Sequence, residues 1–528
     1  MGELSPSPAR SRTAGIAGLA AAYLITGKLG LLLAIPPGYA TAFWPPSGIA
    51  VAMLLLFGNG CWPGVFIGSF LVNLSASYDG SAVVRSIGIA AALGAGASVQ
   101  ALLGASLIRR FVGASPELLR GREIAAFLLL GGPVSCAASA TIGVSTLAIG
   151  RILQPAQIPF SWWTWWVGDV VGVLVVAPLV LVALARPRDV WRRRVATVAV
   201  PLLLMLAFFT TLFVVVSAWE RAAIEARFRD RSEGLASALR GRLEESVEVL
   251  RALEASYATD PALTRKTFRA LSERPLSRFP SIQALSWNPR VVDAERPAFE
   301  RGGPDGACPI LDRDAKDLRI AAPRRSEYIP IRFIEPYESN AAAIGYDVSS
   351  SIIRFEALKR AGESGQPAAT RKLRLVQESD PSGGLLIFLP VYSGPGLPAS
   401  ADERRLRLAG YFAVVLRDKD FFKPLEERAK AERIDLSLED SDAAPGSEPF
   451  WHSGTGKTPP REFQRGTPFV FAERNWSAWC RATPAYVSDE RSWWPWGMLA
   501  GGMVLTGLLG AFLLATTGGA LLAGRPNA

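Results

Sequence analysis

Leu202-Leu203-Leu204-Met205-Leu206-Ala207-Phe208-Phe209-Thr210-Thr211-Leu212-Phe213-Val214-Val215-Val216-Ser217-Ala218-Trp219-Glu220-Arg221 divides the chain into two kinds of sequence. Its apolar part belongs to a span over residues 195–217, long enough for a helix to cross a hydrocarbon core, which takes roughly 20 apolar residues. From Trp219 the pattern changes. Ile224, Phe228, Leu235, Leu239, Leu243, Val247 and Leu250 recur at near-helical or heptad spacing among charged residues. Residues 219–257 therefore read as a water-facing stalk that continues the membrane helix. Such a stripe either joins two copies of the chain or packs on its own domain, and a homodimer is the expected use.

Seven further apolar spans lie outward from this boundary, at residues 13–35, 47–57, 63–74, 84–108, 124–150, 161–185 and 494–517. Two of them, 47–57 and 63–74, are short. Pro45-Pro46 and residues 58–63 interrupt backbone hydrogen bonding there, so the two form either a pair of crossings or a re-entrant pair shielded by neighbouring helices. Arginine sets the orientation. Arg10 and Arg12, then Arg109, Arg110, Arg120 and Arg122, then Arg186, Arg188, Arg192, Arg193 and Arg194 all fall on one side, against Arg85 and Arg151 on the other. The positive-inside rule places the tails, residues 1–12 and 518–528, in the cytoplasm. Residues 218–492 are then in the periplasm or extracellular space, and the protein is a multi-pass component of the inner (cytoplasmic) membrane. No cleavable signal peptide is evident.

With 528 residues, 49% of them hydrophobic, and a mean hydropathy of +0.22, the chain can hold a membrane bundle and a separate globular domain. The net charge of +10 does not point to nucleic acid. Residues 1–218 hold 14 Lys+Arg against 6 Asp+Glu, and the remainder holds 43 against 41. The excess therefore orients helices in a lipid membrane.

The membrane half carries the more specific motifs: Gly38-Tyr39-Ala40-Thr41-Ala42-Phe43-Trp44-Pro45-Pro46-Ser47-Gly48, then Cys61-Trp62-Pro63-Gly64 through Asn73, then Trp165-Trp166-Val167-Gly168-Asp169-Val170-Val171-Gly172 through Pro178. These resemble the MASE integral-membrane sensor family, first type, over residues 13–187, followed by a single transmembrane helix at 195–217. The resemblance implies sensing, joined in that family to histidine kinases or cyclic-di-GMP enzymes. Lys28 and Asp169 fall at similar depth inside the spans. They either pair, which offsets part of the cost of burying charge, or each faces a wet cavity or snorkels alone. Asn73, Trp44 and Trp165 are candidates to line the same region, whereas Trp162, Trp163, Trp165 and Trp166 together read as an interfacial belt.

In the outer half, strand-like segments at 282–287, 328–334, 372–377, 385–392, 411–416, 434–438 and 476–481 alternate with turns, which indicates α+β modules. Phe279-Pro280-Ser281-Ile282-Gln283-Ala284-Leu285-Ser286-Trp287, Tyr328-Ile329-Pro330-Ile331, Ile334-Glu335-Pro336, Asn340, Gly345, Asp347, Arg354 and Pro390-Val391-Tyr392 resemble the CHASE extracellular sensory domain over residues 218–492. That resemblance implies a stalk helix carrying two PAS-like modules, the distal one near 279–393 and the proximal one near 407–484. Plant members bind an adenine-type cytokinin, read by a carboxylate. Here Pro336 stands at that position with Glu335 beside it, and bulky Phe388 occupies the strand before Pro390, so a different small apolar or amphipathic ligand is expected. Its candidate contacts are Glu335, Tyr337, Asn340, Asp347, Arg354, Phe388 and Tyr392. For Glu335, Asn340, Asp347 and Arg354 the alternative is a structural network of turns and ion pairs.

Enzymatic chemistry has little support. Gly456-Lys457-Thr458 lacks the phosphate-loop glycine five residues before Gly456, where Trp451 stands. Glu356-Ala357-Leu358 falls in the sensory module, and His452 is the single histidine, so neither metal nor triad chemistry is expected. No cofactor is expected. Cys308 and Cys480 share the outer compartment, as a disulfide or as two buried thiols. With no enzyme signature present, the sequence is expected to act as a receptor that delivers its signal to a separate cytoplasmic kinase or cyclic-di-GMP enzyme; the alternative is a transporter or solute-scavenging permease with an extracytoplasmic binding domain, in which Lys28 and Asp169 mark the translocation path.

Overall fold

The computed structural model describes residues 8–35, 40–77, 80, 82–113, 117–302, 305–314, 318–374, 383–394, 396–444, 446–454 and 463–523. Gly38, Tyr39, the Gly456-Lys457-Thr458 triplet, the second half of the strand expected at 372–377 and the end of the C-terminal tail lie outside these residues. Two compact units are present: Met1–Arg221 with Ser492–Ala528, and Ala222–Arg491.

In the first unit the helices are α1 (Pro8–Leu31), α2 (Pro45–Phe57), α3 (Trp62–Ser77), α4 (Val83–Phe111), α5 (Gly121–Leu129), α6 (Ser135–Ile149) and α7 (Ile158–Leu184). Val200–Thr259 forms one further helix, α8, and the unit ends with the helix Trp494–Ala523. Six segments among the described residues are long and apolar enough to cross a membrane, rather than eight. The two short helices account for the difference. At about 1.5 Å per residue the 13 residues of α2 reach roughly 20 Å, short of a hydrocarbon core of about 30 Å. Instead α2 packs on α1, α4 and α7, and α3 packs on α1 and α4. Neighbouring helices cover most of α2, whereas α3 leaves Trp62, Ile67 and Leu71 exposed.

One span end and one span interior differ from the sequence reading. The first helix stops at Leu31, and Ala34–Ile35 pairs with Ala40–Thr41 in a short ribbon; Ile35 precedes Pro36, which disfavours helix there. Pro133 sits in a π turn, Leu130–Val134, that joins α5 to α6 and absorbs the hydrogen bond that proline cannot make.

The second unit is built on the stalk. Ile224, Phe228, Leu235, Leu239, Leu243, Val247 and Leu250 are all buried in one core with strands of both outer sheets. This corrects the expected dimer seam: packing within the chain consumes the apolar stripe. The first sheet contains β1 (Ile282–Pro289), β2 (Phe333–Glu335), β3 (Leu373–Arg374), β4 (Gly383–Tyr392) and β5 (Leu408–Arg417), in the antiparallel order β3-β4-β5-β1-β2, with Ala368–Ala369 also pairing β4. Along β4 the side chains alternate. Leu385, Ile387 and Leu389 join the stalk core, and Leu386 and Phe388 join a second core beneath helix α9 (Ile352–Ser364). Covered on both faces, the strand reads as a continuous apolar run.

After helix α10 (Asp418–Ala431) comes the second sheet, with β6 (Ile434–Asp440), β7 (Trp451–His452), β8 (Gln464–Phe471) and β9 (Arg474–Ala482) in the order β7-β6-β9-β8. Strand β5 is thus central to the first sheet, between β4 and β1, so the distal module extends to Arg417 and the boundary expected near residue 393 moves. The strand expected over 328–334 is two pieces interrupted by Pro330: Glu327–Tyr328 pairs with Val291–Val292, and Phe333–Glu335 is β2. Strand β8 had no clear signal because Gly466 and Pro468 interrupt it; proline is tolerated on this edge strand.

Candidate functional site

Between α9 and the first sheet lies the slot toward which the sequence pointed. Leu386 and Phe388 of β4, Ala413 and Val415 of β5, and Arg354 of α9 line it, with Ser286, Ile331, Ile334, Tyr346 and Val348. Phe388 is fully buried and meets the Tyr411 ring edge-on at 6.4 Å. The slot is nearly filled by these side chains: about 20 Å³ is open, room for one or two waters. Arg354 donates to the Tyr346 hydroxyl at 3.3 Å, with its guanidinium 5.4 Å from the ring centre.

Five of the seven expected contact residues lie elsewhere. The buried Glu335 carboxylate accepts the Tyr337 backbone N–H at 3.2 Å. Tyr337 is exposed, with the Arg265 guanidinium 4.7 Å from its ring. Asn340 donates to the Pro336 carbonyl at 2.8 Å, and the Tyr392 hydroxyl donates to the Gly362 carbonyl at 3.1 Å. Burial pushes the Tyr392 phenol up to about 12, which keeps it a neutral donor. Asp347 is fully buried and fully engaged. It pairs with Arg325 at 2.8 Å and accepts from the Ile329 N–H at 2.9 Å, the Ser349 N–H at 3.0 Å and the Ser349 hydroxyl at 2.6 Å.

A wider opening lies further along the same layer. Successive inward residues of β5 run from Tyr411 to Ala413 and Val415, and at the Tyr411 end the slot gives way to a cleft of about 640 Å³. Ile329, Leu358 and Tyr411 form its apolar floor, while Arg290, Arg325, Lys359 and Arg405 face Glu327 and Glu363 around it. Arg290 pairs with Glu327 at 2.7 Å and Arg405 with Glu363 at 2.8 Å. Burial pushes the Tyr411 phenol up, and its hydroxyl donates to the Leu358 carbonyl at 3.0 Å. One face of α9, Phe355, Leu358, Lys359, Gly362 and Glu363, lines this cleft at helical spacing, but sequence reading missed it because the opposing residues, among them Arg290, Arg325 and Arg405, come from segments far apart in the chain.

The two outer cysteines are separate buried thiols. Cys308 lies beside the Ile331 carbonyl near β2, and Cys480, at the centre of the second sheet, lies 3.7 Å from the Ser232 carbonyl of the stalk. Packing against different elements keeps them apart, which corrects the disulfide alternative. Burial pushes the Cys480 thiol up to about 11.

The membrane unit holds its own recess, which brings together Tyr23, Trp44, Asn73, Trp165 and Asp169 with Thr41, Ser69 and Ser139. Lys28 is not among them. It is exposed on α1 whereas Asp169 is 3% exposed on α7, so the pairing alternative is replaced by two separate groups. Of the expected tryptophan belt, Trp163 is exposed, but Trp165 lines the recess, Trp162 donates to Thr141 at 3.1 Å and Trp166 donates to the Pro133 carbonyl at 2.9 Å.

Comparison with known proteins gives a match to MASE1 over residues 13–221 and a match to the CHASE domain over residues 261–451. Over 202 residues, 36% of this chain, the sequence is 23% identical to hybrid signal transduction histidine kinase A of Dictyostelium discoideum, and the match spans 9% of that protein's length. Among solved structures, the periplasmic sensory domain of the Campylobacter jejuni chemoreceptor Tlp1 aligns with 52% of this chain and 99% of its own, at 11% identity and a TM-score of 0.35. An extracellular ligand binding receptor from Desulfohalobium retbaense aligns with 48% of this chain and 40% of its own, at 12% identity and a TM-score of 0.33.

Proposed function

We propose that this chain, in which a MASE1 membrane domain precedes a CHASE domain, is a sensory receptor that takes a small ligand in the cleft at the Tyr411 end of the first sheet. Both matched domains are sensory, and apolar helices long enough to cross a membrane fit a membrane protein. The observation that carries the ligand site is the cleft itself. It joins an apolar floor to a few convergent polar groups, the usual composition of a small-molecule site. Arg290, Arg405 and Arg325 are already paired, with Glu327, Glu363 and Asp347, so Lys359 is the cation that favours a ligand with an apolar body and an anionic edge.

In this reading the outer unit faces the periplasm or extracellular space and the protein sits in the inner membrane, which the arginine asymmetry supports. The chain passes between the units twice, within helix α8 and just before the helix Trp494–Ala523, so these two are the covalent routes by which a change in the outer unit reaches the membrane. The recipient is a cytoplasmic kinase, the class named in the curated relative's title, or a cyclic-di-GMP enzyme, the other class that the resemblance to the membrane sensor family implies. The alternative of a solute-scavenging permease drew on Lys28 and Asp169 marking one path, and loses that support because Lys28 faces outward.

Thermal unfolding of the purified full chain, screened against small carboxylates, phosphates and amines, tests the ligand class. A bound anionic metabolite at a hundredfold its Kd is expected to stabilise the protein by about 2.7 kcal/mol. Lys359→Ala and Arg405→Ala should each reduce that gain. A stabilising ligand indifferent to both substitutions would place the site elsewhere, and stabilisation by amines alone would overturn the anionic reading.

A further inference from the structure

The recess in the membrane unit presents a buried acid without a base. Asp169 is 3% exposed, and its Oδ2 has no hydrogen-bond partner among the described residues. Among the described residues, no lysine or arginine lines the space around it. An ionised carboxylate in such a place is strongly disfavoured unless a cation joins it. Around it stand the aromatic Tyr23, Trp44 and Trp165 and the oxygen-bearing Thr41, Ser69, Asn73 and Ser139, with leucine and alanine side chains completing the walls. Aromatic faces and hydroxyl oxygens both attract a small positive charge. The open space is about 40 Å³, room for a few water-sized atoms.

The position of this carboxylate is firmly built. A Cβ added at Gly168 would meet the Thr41 carbonyl, at Gly172 the Trp44 carbonyl, and at Gly48 the Gly172 carbonyl, so α2 and α7 approach at backbone distance only because these residues are glycine. The Trp44 N–H donates to the Gly168 carbonyl at 3.0 Å. The Ser47 hydroxyl lies 2.8 Å from both the Trp44 and the Asp169 carbonyl oxygens. Trp44 in turn donates through its indole to the Tyr23 hydroxyl at 3.4 Å. The glycines thus fix an aromatic wall and a carboxylate side by side.

We infer that this recess is a second ligand site, independent of the outer cleft, that binds one small monovalent cation at Asp169, either an alkali ion or a small ammonium. Binding replaces the orphaned acceptor with an ion pair inside the bundle.

The test uses the purified full chain in lipid nanodiscs, at constant ionic strength maintained with the bulky cation N-methyl-D-glucamine. Sodium, potassium, ammonium and methylammonium chlorides are titrated in separate arms, and thermal unfolding and the stoichiometry of bound radiolabelled sodium or methylammonium are measured. At least one arm should give saturable stabilisation with one cation per chain, and the responding arm separates alkali ion from ammonium. Asp169→Asn should weaken that binding by roughly thirtyfold or more, the scale for removing one member of a buried charge pair. In the bulky-cation buffer its melting temperature should equal or exceed that of the unsubstituted protein. Ser139→Ala gives a second variant with the carboxylate intact, and it should weaken binding less. Absence of saturable binding in every arm, or full binding by Asp169→Asn, overturns the inference and leaves Asp169 as a neutral, protonated side chain.

Discussion

Two buried aspartates, one in each unit, have nearly equal burial and opposite surroundings. Asp347 in the outer unit is fully buried, paired with Arg325, and accepts three further hydrogen bonds from Ile329 and Ser349. Asp169 in the membrane unit is 3% exposed and retains an oxygen, Oδ2, without a hydrogen-bond partner among the described residues. Burial is therefore a poor guide to function here. What separates the two is whether the chain itself satisfies the charge: where it does, the residue holds a loop in place, and where it does not, a ligand or a proton must complete it.

Substitution should magnify that difference. Asp347→Ala removes one side of an ion pair and leaves buried N–H groups without an acceptor, and is expected to cost about 3 kcal/mol in denaturant unfolding of the outer unit. This is the low end of the range for a broken buried pair, because the Arg325 side chain is 31% exposed. Asp169→Asn should leave the membrane unit as stable or more so in cation-free buffer. Equal losses from the two substitutions would break the comparison.

A smaller effect sharpens it from the backbone side. Gly172→Ala pushes a methyl group into the Trp44 carbonyl and is expected to destabilise the membrane unit by about 1–3 kcal/mol while closing the recess. Gly241→Ala, on the stalk with nothing within 4 Å, should be neutral or stabilising by up to about 1 kcal/mol. Similar behaviour of the two in thermal unfolding would show that the α2–α7 approach is not fixed by its glycines.

The smallest effect concerns acid. Burial raises the Asp312 carboxyl, but hydrogen bonding and attraction from Arg325 outweigh it, so the group titrates below its ordinary 3.8. Its contribution is fully present above that value and is lost as pH falls through the lower folded value. Asp312→Asn should therefore flatten the acid limb of outer-unit stability and leave the membrane recess unaffected. An unchanged acid limb would remove Asp312 from the Asp347 network.

Much of the architecture was legible because hydrophobic periodicity is a local property. The switch after Ser217, the stalk stripe and strands β1, β4, β5, β6 and β9 all announce themselves within a few residues of sequence. Trp44, Asn73, Trp165 and Asp169 line one recess, but they come from segments far apart in the chain, and no local pattern groups them. Partnership was not legible. The same heptad stripe suits a second chain or the chain's own sheets, and only the fold brings both sheets onto Leu235, Leu239 and Leu243. Strand β5 joined the first sheet because its neighbours lie about 20 residues upstream and more than 100 upstream, separations that no local pattern encodes.

By itself, then, the sequence determined where the chain is apolar, where it is charged, and which segments are helix or strand, because these follow from side chains spaced a few residues apart. Tertiary structure decided which charges are satisfied. Asp347 finds Arg325 across a loop, Lys28 and Asp169 turn to different surroundings where the sequence allowed a pair, and the slot predicted around Phe388 is filled while a cleft opens beyond Tyr411. Each outcome depends on the direction of a side chain after distant segments have packed, and that direction is fixed by close packing in three dimensions rather than by position along the chain.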